Sequence, residues 1–178
     1  TTEIYTLSLH DALPIYLAEA VGEELGIRGD EMRWLRYAAL LHDVGKIGIR
    51  EEILRKPGRL TEEEFEEMKK HSEIGARMLE RIPGFGPVLI LVRAAHERWD
   101  GRGYPDGLVG EDIPLGARVI AVCDAFHAMT SDRPYRKALS DEEAKAEMRR
   151  CAGSQFDPRV VDALLAVLER EAVAGSTL

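Results

Sequence analysis

The chain has 178 residues, 45% of them hydrophobic and 31% charged, with a net charge of −8. That is the length of one domain with an ordinary globular composition, enough to bury roughly 70% of the unfolded chain's surface. The acidic balance argues against binding to a nucleic-acid polymer, and apolar runs such as Val88 to Val92 are far too short to span a bilayer.

The opening stretch, TTEIYTLSLHDALPI, looks like a translated sequencing adapter. On that reading native sequence begins at Tyr16, and Thr1 to Ile15 are set aside as a non-native segment. Pro14 is also expected to disturb an interior helical turn there. Leu17 to Leu25 has helical spacing and stops at Gly26. Asp30 starts a second helix through Leu41. Thr61 with Glu64 makes a capping box ahead of Phe65 and Met68, and helix continues from His71 to Ile82 before Pro83-Gly84. Pro87 to Glu97 is strongly apolar. Trp99 to Gly116 holds five Gly and two Pro and reads as a loop. Leu115 to Met129 returns to buried helix. Ser140 with Glu143 caps the next helix. Asp157-Pro158 fits N-cap and N1 of a last helix to about Ala172, followed by a frayed tail. About seven helices with no strand-like alternation make an all-α fold.

The chemistry concentrates in three places. The apolar stretch Trp34 to Leu41 closes on His42-Asp43, followed by Gly45-Lys46. An ionisable pair there is costly to desolvate. Either the two side chains cap backbone groups or a metal ion compensates both, and the dipeptide leaves both readings open. The second block is His96 to Pro105, polar and turn-rich. The third is Cys123 to Arg136, where Asp124 lies among Val119, Ile120, Ala121, Val122, Ala125 and Phe126. A carboxylate in such surroundings needs a partner, and a metal is the best candidate. Cys123 and Cys151 are far apart and form no CxxC, which fits buried free thiols in a reducing cytosol and hence a cytoplasmic protein.

Taken in order, LLHDVGKIGI, KPGRLTEEE, KKHSEIGARML, HERWDGRGYPDGL, IPLGARVIAVCDAF, TSDRPYR and GSQFDPRVV resemble the HD-GYP family of metal-dependent phosphodiesterases, within the HD phosphohydrolase superfamily. The resemblance runs from about Leu17 to Leu168. It implies an HD-domain helical bundle with a long GYP loop, spanning residues 16–172. It also implies two divalent metal ions bridged by Asp43. One ion would take His42 and Asp124, with a first-helix His where His10 falls. The other would take His71 and His96. Such ligands suit iron, manganese, zinc or nickel without choosing among them. By the same resemblance, Lys46 matches a lysine that helps bind or stabilise the phosphate. On helical spacing, it shares a face with His42. Arg133 and Arg136 match phosphate-contacting positions, with exposed helix-end arginines as the plainer alternative. Tyr104, in Gly103-Tyr104-Pro105, is expected at the pocket rim, touching substrate or a partner. Trp99 reads as loop core and His127 as a partly exposed helical residue.

One departure stands out. The family usually has two consecutive His before Glu-Arg-Trp-Asp-Gly, and here the first is Ala95. The second ion then loses a protein ligand and is expected to bind weakly. Two function classes follow. The first is an enzyme hydrolysing cyclic di-GMP to the linear dinucleotide or GMP, or acting on another cyclic dinucleotide or phosphodiester. The second is a catalytically weak module binding a partner, such as a diguanylate cyclase (GGDEF-type) domain, through the GYP loop. Retention of His42, Asp43, Lys46, His71, His96 and Asp124 favours the enzyme, and Ala95 the module. The resemblance also implies a receiver or sensor domain upstream, missing from this sequence. Oligomeric state is left open.

Overall fold

A computed structural model describes residues 9–132 and 137–175, with side chains from 14 to 132 and from 137 to 173. Among these residues there are eight α-helices and no strand, only the isolated bridges Asp100–Val109 and Ala152–Phe156. The helices are α1 (Leu9–Glu24), α2 (Gly29–Leu41), α3 (Glu51–Leu54), α4 (Glu62–Leu79), α5 (Gly86–Ala94), α6 (Leu115–Thr130), α7 (Asp141–Cys151) and α8 (Pro158–Gly175). The all-α expectation holds. The extra helix is the single turn α3. No helix among the described residues is long and apolar enough to cross a membrane.

Apolar stripes explain the packing. On α2, Met32, Leu35, Ala38 and Ala39 are buried, a helical repeat that faces α1, α5 and α6. On α4 the buried set is His71, Ser72, Gly75, Ala76 and Leu79. On α6, Val119, Ile120, Val122, Cys123 and Phe126 turn inward. Helices α1 and α8 close the core with Val21, Val160, Val161 and Leu164. Both expected capping boxes form: Thr61 and Ser140 accept backbone N–H groups of Glu64 and Glu143, whose carboxylates accept in return.

Several features differ from expectation, among them the end of α4, at Leu79 rather than Ile82. Helix α1 starts at Leu9, so Pro14 lies within it. Helix α5 ends at Ala94 rather than Glu97, leaving His96 and Glu97 on the chain that leaves the helix. Between α2 and α3 the chain tightens into a 3-10 turn, Val44–Gly48, that had no periodic signal of its own.

Candidate metal centre

The site forms where these buried stripes run out. His42 follows Ala39 by three positions and therefore sits on the inward face of α2, at its C-cap. Its Nδ1–H donates to the Ala39 carbonyl at 2.8 Å. That bond orients the ring so that Nε2 points inward, buried without a hydrogen-bond partner. His71 repeats the device on α4: Nδ1–H donates to the Met68 carbonyl at 2.7 Å, and only 1% of the residue is exposed. Position 71 continues the inward stripe of Gly75 and Leu79, so the side chain enters the interior as a ligand there would. Burial lowers the His71 pKa to about 4, so it is neutral at physiological pH.

Asp43 stands between the imidazoles. Its Oδ1 lies 3.4 Å from His71 Nε2 and 3.7 Å from His96 Nε2. Its Oδ2 lies 3.7 Å from His42 Nε2 and accepts from Lys46 Nζ at 2.5 Å. Burial pushes its carboxyl up. The His96 imidazole beside it, with His42 and the Lys46 ammonium, outweighs that and holds the group well below the usual carboxylate range. Oδ1 is buried without a hydrogen-bond partner. His71 and His96 meet Nε2 to Nε2 at 2.9 Å. Since the His71 proton is on Nδ1, His96 is the donor of that pair. One ligand atom each from Asp43, His71 and His96 falls within 4.8 Å of the others, a group that could hold a metal ion. Asp124, on α6, joins from the other side, its Oδ1 3.9 Å from His42 Nε2.

The expected shared face of His42 and Lys46 is corrected. Helix α2 stops at Leu41, and in the 3-10 turn Lys46 bonds to Asp43 instead. That turn packs against α4 so closely that a Cβ on Gly45 would lie 1.9 Å from the His71 carbonyl oxygen. A glycine is required there, and its absence of side chain brings Asp43 to His71.

Tyr104 stacks on His96, ring centroids 5.3 Å apart and planes 8° from parallel, and meets His71 edge-on. Burial, with Asp43 and Asp124 nearby, pushes its hydroxyl up to about 12. A Cβ on Gly103 would lie 2.3 Å from the Arg98 amide nitrogen, so this glycine lets the loop fold back on the chain that leaves α5. Sequence reasoning missed Glu97. It is 4% exposed, and its carboxylate accepts the backbone N–H groups of Asp106, Gly107 and Leu108. It fastens the GYP loop over His96. The signal available was an acidic residue at the end of an apolar helix beside a glycine-rich loop.

Ala95 is 2% exposed and belongs to the apolar core, and its neighbour His96 is in the ligand group. Trp99 is half-buried in the loop, with the Arg118 guanidinium 5.7 Å from its ring. His127 is half-buried on α6 beside the Ser131 hydroxyl. Cys123 and Cys151 are buried free thiols. Arg133 and Arg136 lie outside the described residues, as does the side chain of His10, whose backbone is in α1. An open groove of about 450 Å³ between α1 and α8, lined by Tyr16, Glu23, Arg28 and Arg170 among others, shares no residue with this centre.

A family model described as the HD domain matches residues 5–160. The chain belongs to the HD domain family. The match starts inside the stretch set aside as adapter-like. A cyclic di-GMP phosphodiesterase response regulator of Xanthomonas campestris is 48% identical over 154 residues, covering 84% of this chain and 40% of the relative. A 3'3'-cGAMP-specific phosphodiesterase of Vibrio cholerae is 36% identical over 160 residues, covering 90% of this chain and 35% of the relative. This HD domain chain thus spans well under half the length of both. Among solved structures, a cyclic GMP-AMP specific phosphodiesterase of V. cholerae superposes with a TM-score of 0.73 at 20% identity, covering 90% of this chain and 44% of that one. That likeness speaks to the fold.

Proposed function

We propose that this HD domain is a metal-dependent phosphodiesterase that hydrolyses cyclic di-GMP. The observation that carries the reading is Asp43. Its two oxygens face different imidazoles, Oδ1 toward His71 and His96 and Oδ2 toward His42. Oδ1 and His42 Nε2 are also both buried and unpartnered, as donors to a cation would be. The residues therefore fit two divalent ions, one held by His42, Asp43 and Asp124, the other by Asp43, His71 and His96. Their identity is open among iron, manganese, zinc and nickel. Bound ions would supply Lewis acidity toward the phosphodiester and lower the pKa of the attacking water.

The chain's own groups do the rest. The backbone bonds of His42 and His71 orient both Nε2 atoms inward. Lys46 can exchange its bond to Asp43 for a phosphate oxygen. Tyr104, fixed by the loop that Glu97 fastens, forms the rim beside His96. Arg133 and Arg136 would add charge-assisted contacts to phosphate. Cyclic di-GMP is preferred to cGAMP because the more similar of the two relatives above is named for it. A cytoplasmic setting, an upstream receiver or sensor domain and a GGDEF-type partner remain part of this proposal.

The test is turnover by metal-reconstituted protein of cyclic di-GMP and cGAMP, with products separated by chromatography. Hydrolysis of cyclic di-GMP to the linear dinucleotide or GMP supports the reading. Faster cGAMP turnover reassigns the substrate. No metal-dependent turnover of either makes the chain the catalytically weak module.

A further inference from the structure

Outside the metal centre, α4 carries an aromatic ring with no place in the core. Phe65 is 45% exposed, yet it is held edge-on to Tyr104 with centroids 6.2 Å apart. Tyr104 in turn stacks on His96. The three rings make a continuous strip from the ligand group to the surface. Lys69, one turn further along α4, holds its Nζ 5.0 Å from the Phe65 ring centroid and 6.0 Å from that of Tyr104. Its ion pair is with Glu66, which is 67% exposed. Such a surface pair contributes little, so Lys69 can change partner at small cost.

We infer that Phe65 and Lys69 form an outer subsite, in which the Phe65 ring stacks on a nucleobase and Lys69 binds the phosphate not being cleaved. The inference rests on the dinucleotide reading above. A cyclic dinucleotide carries two bases and two phosphates, and the metal centre engages only one phosphate at a time. The strip offers an aromatic face and a cation along one line leaving that centre, in a chain whose net charge is −8. Base stacking on an aromatic side chain and a charge-assisted contact to phosphate are the interactions these two groups supply.

Phe65 also stands at the fourth helical position after the Thr61 cap, where a hydrophobic staple to Leu60 could explain it. Phe65→Leu separates the two roles, since it keeps an apolar staple and removes the aromatic face. In the metal-loaded protein, Phe65→Leu is expected to raise KM for cyclic di-GMP on the order of ten-fold. Its kcat, metal content and melting temperature should match wild type, and Phe65→Tyr should restore KM. Lys69→Gln should raise KM comparably, while Lys69→Arg should not. None of the four should change hydrolysis of methyl p-nitrophenyl phosphate, which has neither nucleobase nor second phosphate. Wild-type KM in both Phe65→Leu and Lys69→Gln overturns the subsite, as does a fall in melting temperature without a change in KM. If the wild type cleaves the small diester but no cyclic dinucleotide, the proposed function falls first and the subsite with it.

Discussion

Gly45→Ala should cost this domain both stability and metal. The added Cβ would lie 1.9 Å from the His71 carbonyl oxygen and 2.5 Å from the Gly75 amide nitrogen, all backbone atoms that cannot rotate away. Ordinary contact needs about 3.5 Å, so the 3-10 turn and α4 must separate by roughly 1.5 Å. Overpacking of that kind costs about 3 kcal/mol, which corresponds to a fall of roughly 10 °C in melting temperature for a chain of this size. The functional effect should be larger than the structural one. Metal–ligand distances tolerate only about 0.2 Å, and the separation moves Asp43 away from His71 and His96 by several times that. Thermal unfolding followed by circular dichroism, with metal content measured on the same folded sample, reads both effects. An alanine variant with wild-type melting temperature and wild-type metal content would refute the close approach, and with it the explanation of how Asp43 is placed.

Glu97→Gln replaces an acceptor-only group with one that also donates, facing three backbone N–H groups. It should destabilise by about 1.5–3 kcal/mol and raise KM through a loosened Tyr104, with metal content unchanged. Unchanged stability and KM would mean the loop is held by other contacts, such as the Arg93–Asp106 pair. The His71 pKa is about 4 in the fold against an ordinary 6.5, so the unfolded chain takes up its proton first. The metal-free protein should therefore lose stability as pH falls from about 6.5 to about 4, and His71→Leu should flatten that slope. Equal slopes in denaturant titrations of the two proteins across this window would show that His71 is not buried neutral.

Much of this was legible in the sequence because the site residues extend patterns that the fold itself requires. The α2 stripe points inward and carries His42 with it, and the Thr61 and Ser140 boxes announce their helices. What was hidden depends on contacts between distant segments. Nothing near Gly45 says that its neighbour in space is the His71 backbone. The end of α5 at Ala94 had no breaker after it, because Glu97 bonds the loop instead of continuing the helix. Lys46 was assigned a helical partner because the 3-10 turn has no periodic signature, and its real partner is three residues back.

The central claim is that Asp43 joins two metal ions in a working phosphodiesterase. The most direct measurement is metal content by elemental analysis together with cyclic di-GMP turnover, on wild type and Asp43→Asn. Wild type should bind divalent metal and turn over substrate, and the variant should lose both while its helical circular dichroism persists. Turnover by Asp43→Asn at the wild-type rate and metal content would contradict the account.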